Sequence, residues 1–103
     1  MDCSVARLSE LPIGRPVRVT AEGHAFAVVR TGHEVHVLDD ECPHRGASLG
    51  QGTLEGGALV CPLHRWSFRI STGRGLGIAA STFVRRFDSR VDGDEVIVDL
   101  PVR

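Results

Sequence analysis

Short runs of alternating hydrophobic and polar residues dominate the first third of this 103-residue chain. Residues 15–21 and 24–30 are separated by a Glu-Gly pair, and residues 33–38 follow a Thr-Gly pair. A period of two is typical of half-buried strands, and glycine supplies the positive φ that tight hairpin turns require. The pattern therefore predicts three strands with hairpin spacings.

The same period continues in the second half of the chain, where the runs are shorter. Residues 58–61 and 66–70 predict two short strands, and residues 82–90 alternate around their two phenylalanines. Residues 95–100 follow an Asp-Gly pair, which is a strong hairpin signal, and they alternate throughout. We expect strands from both ends of the chain to form the base of the fold.

Helical periodicity with capping signals is almost absent, apart from one possible turn at residues 8–11. Residues 39–57 have no sustained period and contain five glycines, which predicts a loop, and the glycine-rich residues 73–77 are predicted to be another loop. A length of 103 residues fits one domain. The pattern therefore predicts a single all-β domain over residues 1–103.

Composition and charge exclude several classes of partner. Lys and Arg total 12 against 13 Asp and Glu, so the net charge is -1, and every basic residue is Arg. Nucleic-acid binding depends on an excess of positive charge, which this chain does not have. No apolar run reaches membrane-spanning length, and no segment resembles a signal peptide. We expect a cytoplasmic monomer that binds neither nucleic acid nor membrane.

Two short Cys/His pairs carry the candidate chemistry. Cys42 and His44 are separated by one residue, Cys61 and His64 by two, and sixteen residues lie between the pairs. Thiolate and imidazole are the side chains that hold transition metals. The sequence therefore predicts one metal centre held by these four residues.

A structural zinc site is the alternative interpretation of the same residues, because two Cys and two His are an accepted zinc set. Common zinc spacings place the two cysteines together and the two histidines together, whereas here each pair has one of each. In the zinc interpretation, the metal would stabilise the fold of a small protein-interaction module, here called the zinc-stapled interaction module. Colour and metal content would distinguish it from an iron–sulfur protein.

The two pairs and their surroundings resemble the cluster-binding loops of Rieske [2Fe–2S] proteins. The matching runs are Cys42-Pro43-His44-Arg45-Gly46 and Cys61-Pro62-Leu63-His64, followed by Trp66-Ser67-Phe68 and Thr72-Gly73. The resemblance implies an all-β fold in which an antiparallel β-sandwich or barrel base carries an inserted cluster-binding subdomain, approximately residues 40–75. The length is that of a free-standing Rieske ferredoxin.

The same resemblance implies a role for each residue of the two pairs. Cys42 and Cys61 would hold one iron through sulfur, and His44 and His64 would hold the other through imidazole nitrogen. One [2Fe–2S] cluster per chain is expected, with the histidine-bound iron facing solvent as the exit for the electron. Two neutral imidazoles in place of thiolates make such a cluster easier to reduce.

Three positions depart from the high-potential members of that family. Ala47 and Leu63 stand where those proteins have disulfide-forming cysteines, and Trp66 stands where they have a serine hydroxyl. We therefore predict a midpoint potential near the lower end of the Rieske range, at about −150 mV.

Two arginines beside the histidines leave two interpretations open. Arg45 follows His44 directly, and Arg65 follows His64 at a position where glycine is usual in the family. They form either a basic rim that docks an acidic partner or two solvated side chains. An Arg45→Glu/Arg65→Glu double variant with unchanged, equally salt-dependent electron transfer would exclude docking.

The resemblance implies a soluble one-electron carrier of a dioxygenase system. It would take electrons from a flavin-dependent ferredoxin reductase and pass them to a terminal oxygenase, without a catalytic site of its own. The alternative is a small Rieske subunit of a larger redox enzyme such as nitrite reductase. A catalytic oxygenase subunit would need a further domain for mononuclear iron, and the chain is too short for one.

Other reactive side chains have simpler interpretations. Cys3 is predicted to be a small buried hydrophobe at the start of a first strand. His24, His33 and His36 are predicted to be surface or cross-strand residues. The acidic residues 39–41 are predicted to form a solvated turn.

Overall fold

The computed structural model describes residues 2–32 and 34–100, which contain eleven strands and three short 3-10 helices. The strands are β1 (Asp2–Arg7), β2 (Val17–Ala21), β3 (His24–Arg30), β4 (Val35–Asp39), β5 (Thr53–Glu55), β6 (Ala58–Val60), β7 (Ser67–Arg69), β8 (Gly75–Leu76), β9 (Arg86–Phe87), β10 (Ser89–Asp92) and β11 (Glu95–Asp99). The 3-10 helices are Leu8–Glu10, Leu49–Gln51 and Gly77–Ala79. The all-β fold class is confirmed, and no helix in the described residues is long and apolar enough to cross a bilayer.

The strands form three antiparallel sheets. Their strand orders are β1-β11-β10, β2-β3-β4-β9 and β5-β6-β7-β8. In the first sheet Asp2 lies opposite Asp99, which confirms that strands from both ends of the chain pair with each other. The second sheet contains the two predicted hairpins between residues 17 and 39.

The second sheet is central because both of its faces are buried. Along β3, Phe26 and Val28 belong to one hydrophobic core, and Ala27 and Val29 belong to the other. Successive side chains of a strand point to opposite faces, so this uninterrupted apolar run supplies both cores at once. One core packs against the first sheet, and the other packs against the third.

The third sheet supports the predicted metal centre. Leu59 and Phe68 lie opposite each other on β6 and β7 and are fully buried in the same core as Cys42 and Cys61. Gly52 precedes β5, and a Cβ at this position would lie 2.0 Å from the carbonyl oxygen of Val60, so the chain can approach β6 only with glycine here.

Three sequence predictions were wrong in detail. The strand expected over residues 82–90 is divided into β9 and β10, because residues 86–87 pair with β4 in the second sheet and residues 89–92 pair with β11 in the first. The loop expected over residues 39–57 contains the second 3-10 helix and β5, and the loop expected over residues 73–77 contains β8. The helical turn expected near residue 8 is confirmed.

Cys3, predicted to be buried at the start of the first strand, lies on β1 and is partly buried against the core that packs on the first sheet. His24 lies at the start of β3 with its ring 4.8 Å from that of Phe26, and the side chain of His36 on β4 is mostly buried. His33, expected to begin the strand over residues 33–38, lies outside the described residues.

Candidate metal centre

The first ligand loop, residues 41–48, connects β4 to the 3-10 helix before β5. It is closed by two backbone hydrogen bonds, in which the Cys42 N–H donates to the Ala47 oxygen at 2.9 Å and the Gly46 N–H donates to the Cys42 oxygen at 2.7 Å. Cys42 is buried and His44 is partly exposed. The loop therefore turns back on itself with the thiol inside and the imidazole nearer the surface.

The second ligand loop, residues 61–66, connects β6 to β7. The Cys61 N–H donates to the Trp66 oxygen at 2.7 Å, which closes the base of the loop. His64 and Arg65 have φ values of 65° and 57°, in the left-handed region that favours glycine. This backbone explains why glycine would be the expected residue at position 65.

The fold brings the four predicted ligand residues together as two pairs. Cys42 and Cys61 have adjacent thiols, and both residues are 1% exposed. The rings of His44 and His64 have their centroids 5.2 Å apart, in an edge-to-face arrangement at 72°. Within the described part of the chain, no three Cys, His, Asp or Glu side chains converge closely enough to hold a single metal ion.

The surroundings of Cys61 disfavour the thiolate form of its side chain. Burial raises the pKa of the Cys61 thiol, the Leu63 N–H that donates to Cys61 Sγ at 3.4 Å opposes this rise, and the adjacent Cys42 thiol reinforces it. Metals bind the thiolate form, so a metal at this position must displace a proton. The Leu63 N–H then remains as a hydrogen-bond donor to a metal-bound sulfur.

The imidazole pair has an unused ligand atom. Nδ1 of His44 is buried and has no hydrogen-bond partner in the described residues. A buried polar nitrogen without a partner is unfavourable, and coordination to a metal removes that penalty. The free Nδ1, the two buried thiols and the outward imidazoles fit the donor set of a two-iron cluster with sulfur on one side and nitrogen on the other.

Trp66 lies directly against His44. The two rings are stacked, with centroids 4.3 Å apart and an interplanar angle of 10°. Trp66 is partly buried and packs against the core that contains both cysteines. The sequence could not show which ligand residue Trp66 would contact.

The two arginines beside the histidines differ in their surroundings. Arg65 donates through one nitrogen to both carboxylate oxygens of Glu55, at 2.9 and 3.0 Å, and holds the pKa of that carboxyl below its ordinary value. Arg45 is exposed and has no acidic partner among the described residues. Of the predicted basic rim, Arg65 is therefore charge-paired, and Arg45 keeps an unmatched positive charge.

Asp40 was wrongly predicted to lie in a solvated turn. It is 4% exposed, and its carboxylate accepts hydrogen bonds from Arg18 Nε at 3.1 Å, Ser48 Oγ at 2.9 Å and the Gly50 N–H at 2.7 Å. These hydrogen bonds connect both ends of the first ligand loop to β2. The sequence offered little sign of this role for Asp40. Only the position of Asp40 between a predicted strand and the metal motif distinguished it from its acidic neighbours.

Known proteins match this arrangement over most of the chain. The family described as the Rieske [2Fe-2S] domain matches residues 2–88. The ferredoxin component of the naphthalene 1,2-dioxygenase system of Pseudomonas aeruginosa is 33% identical over 93 residues, which are 90% of this chain and 89% of that protein.

Two solved structures have the same fold and similar length. The ferredoxin of carbazole 1,9a-dioxygenase from Nocardioides aromaticivorans superposes with a TM-score of 0.88 at 32% identity, covering 95% of this chain and 96% of that one. A ferredoxin chain solved in the complex of reduced oxygenase and oxidized ferredoxin in carbazole 1,9a-dioxygenase gives a TM-score of 0.85 at 32% identity, covering 94% and 91%.

Proposed function

This chain belongs to the Rieske [2Fe–2S] domain family, and we propose that it is the ferredoxin component of a dioxygenase system, carrying single electrons to an oxygenase. It holds one [2Fe–2S] cluster, which supplies reversible one-electron chemistry when bound. The observation that carries the proposal is the paired geometry of the site, with two buried adjacent thiols below two outward imidazoles. Similarity to ferredoxins over nearly their whole length supports the carrier role.

We assign Cys42 and Cys61 to one iron and His44 and His64 to the other. The buried, unpartnered Nδ1 of His44 supports coordination through that atom. Cys3 belongs to a different core and has no place in the site. The exposed side of His64 is the part of the proposed site nearest solvent and therefore the exit for the electron.

The Cys42→Ser and Cys3→Ser variants test this assignment as a matched pair. Serine at position 42 should reduce bound iron at least tenfold and remove the visible colour, because the harder oxygen is a poor substitute for thiolate. Serine at position 3 should leave two irons and two sulfides per chain. Equal iron content in the two variants would contradict the assignment.

The proposed cluster has a low midpoint potential. Ala47 and Leu63 exclude a disulfide beside the cluster, and position 66 has no hydroxyl to donate to a cluster sulfur. Since hydrogen bonds to cluster sulfur raise the potential, we expect a value of about −150 mV. A midpoint above zero in a potentiometric titration would contradict this part of the proposal.

The proposed partners are a flavin-dependent reductase as donor and a terminal oxygenase as acceptor. Support for the acceptor comes from a 32% identical ferredoxin, which was solved in complex with its oxygenase. The donor follows from the system to which the related ferredoxins belong.

Electron transfer can be tested with the purified, cluster-containing protein. Its reduced form should give the EPR spectrum of a Rieske cluster, and it should be reoxidised by an oxygenase component in a single-turnover experiment. One zinc per colourless chain would instead support the zinc-stapled interaction module. Stable copurification with a larger enzyme would support a permanent redox subunit.

A further inference from the structure

The contact between Trp66 and His44 goes beyond packing. We propose that Trp66 is a positioning residue that fixes the ring plane of His44 and, through its π face, favours the oxidised state of the cluster. This inference rests on the proposed function, because it takes His44 as an iron ligand. Trp66 does not itself bind the metal or carry the electron.

The stacking joins the two ligand loops. Trp66 belongs to the second loop, where its backbone oxygen accepts the Cys61 N–H at 2.7 Å, and its side chain packs on the core beneath. His44 belongs to the first loop. The indole is therefore anchored on one side of the site and holds a ligand that arrives from the other.

Few other contacts orient the His44 ring. Its aromatic neighbours among the described residues are Trp66, stacked at 10°, and His64, which meets it edge-on at 72°. Nδ1 is taken by the proposed iron, and Nε2 makes no hydrogen bond in the described chain. A metal-bound imidazole is usually oriented by a hydrogen bond from its other ring nitrogen. Here the stacked indole face orients the ring instead.

The direction of the electronic effect follows from the charge distribution of the indole. An aromatic face carries negative electrostatic potential and attracts electron-poor groups. Iron withdraws electron density from a bound imidazole, and ferric iron withdraws more than ferrous iron. The stacked indole therefore stabilises the oxidised cluster more than the reduced one, which lowers the midpoint potential.

The chain offers a test that leaves the shape of the site unchanged, because Trp66 is its single tryptophan. Growth on fluorinated tryptophans replaces only this side chain and weakens the negative potential of its face with each added fluorine. The midpoint potential of the purified protein should rise stepwise across the mono-, di- and trifluorinated forms. We expect the most fluorinated form to change the ratio of oxidised to reduced protein at least about threefold at a fixed potential, which is about 28 mV for one electron.

Two substitutions separate the effect of the aromatic ring from the effect of side-chain volume. Trp66→Leu keeps an apolar side chain without a π face, and it should raise the midpoint and broaden the EPR signal as His44 loses its fixed plane. Trp66→Phe restores a stackable ring and should recover most of both properties. The Trp66→Phe protein grown on fluorinated tryptophan carries no label and serves as the control.

Each outcome decides a separate question. A midpoint that does not change with fluorination, or Leu and Phe variants with identical midpoints and spectra, would overturn the role of Trp66. If the leucine variant does not retain its cluster, the fluorination series still decides. Absence of a Rieske EPR signal in the unsubstituted protein would overturn the proposed function instead.

Discussion

Arg65 occupies a backbone conformation that disfavours its own side chain. Its φ of 57° lies in the left-handed region, which costs a residue with a Cβ about 1–2 kcal/mol. Its ion pair with Glu55 joins two largely exposed groups, and such pairs contribute about 0–1 kcal/mol. The pair therefore offsets only part of the strain, so the arginine must be explained by something other than stability.

Comparison of Arg65→Gly with Arg65→Ala isolates this strain, because both variants lose the ion pair. We expect the glycine variant to be more stable by about 1 kcal/mol, since glycine adopts positive φ without steric penalty. Thermal unfolding followed by circular dichroism should show the glycine variant melting several degrees higher. Equal melting temperatures would mean that the turn relaxes to another backbone conformation.

Asp40 is the residue outside the four proposed ligands on which the first ligand loop most depends. Asp40→Ala should destabilise the protein by about 2–3 kcal/mol, because it leaves the Gly50 N–H and the Ser48 hydroxyl without their acceptor. Arg18→Ala should cost less than half as much, since Arg18 is half-exposed and two of the bonds to Asp40 remain. Urea unfolding of the two variants gives the comparison, and equal losses would show that the ion pair carries the effect.

The residue-scale features differ in how far the sequence reveals them. The four proposed ligands could be predicted because metal binding restricts both residue type and spacing. The roles of Asp40 and Trp66 could not, because each depends on a neighbour supplied by a distant segment. Arg18 comes from β2, and His44 comes from the other ligand loop.

At the scale of elements, the hairpin of β7 and β8 places like charges opposite each other. Its register pairs Phe68 with Gly75, so Arg69 and Arg74 are directly opposite, and the Arg69 N–H donates to the Arg74 oxygen at 2.9 Å. Phe83 lies opposite Arg74 on its other side and is 71% exposed. Neither arginine has an acidic partner in the described residues, so the two positive charges repel each other.

Arg74→Glu should stabilise this hairpin by up to about 1 kcal/mol, because it converts a repulsive cross-strand pair into an attractive one. The Arg69→Glu/Arg74→Glu double variant restores like charges and should lose the gain. Thermal unfolding at low and high salt provides the measurement, with the differences shrinking as salt increases. A gain that persists in the double variant would point to β-propensity rather than charge.

Element length explains why the longest strands are predicted, although β6 and β7 were also predicted with only three residues each. β2, β3 and β11 are at least five residues long, so their alternation is visible. β5, β8 and β9 are two or three residues long, and no period can be seen in so few positions. β8 forms because Gly75 lets the chain approach closely, since a Cβ there would lie 1.9 Å from the Ala79 oxygen.

At the scale of the whole molecule, the β10–β11 turn is tied to the 3-10 helix after β1. Asp94 accepts the Ser9 N–H at 2.8 Å and the Ser9 hydroxyl at 2.7 Å, across 85 residues of sequence. The Ser9 hydroxyl and N–H hold the pKa of Asp94 below its usual 3.8. A carboxyl with a lowered folded-state pKa stabilises the fold above its unfolded pKa.

The contribution of Asp94 should therefore be complete above about pH 4 and disappear as the pH falls through the lowered folded-state pKa. Thermal unfolding between pH 6 and pH 2 should show unsubstituted protein and Asp94→Asn converging in stability at the acid end. Ser9→Ala removes the strongest cause of the shift and should weaken the same pH dependence. A constant difference between unsubstituted protein and Asp94→Asn at every pH would assign the effect to shape alone.

The arrangement of the two cores could not be predicted from the sequence. The apolar run in β3 indicates a strand buried on both faces, but it does not tell which residues share a core. That division depends on the sheets packed above and below, which consist of strands from distant parts of the chain. The strand at the C-terminal end was predictable, because residues 95–100 alternate clearly and follow a hairpin signal.

The pairing of β1 with β11 has a consequence for synthesis. At ribosomal rates of about 5–20 residues per second, β1 emerges roughly 5–20 s before the strand that will pair with it. The hairpins of the third sheet join neighbouring segments and can close meanwhile, because short loops cost little entropy. The nascent chain therefore has time to assemble the metal-binding half before its first strand finds a partner. The polar side chains of Asp2, Ser4 and Arg7 on that waiting strand limit its association with other chains.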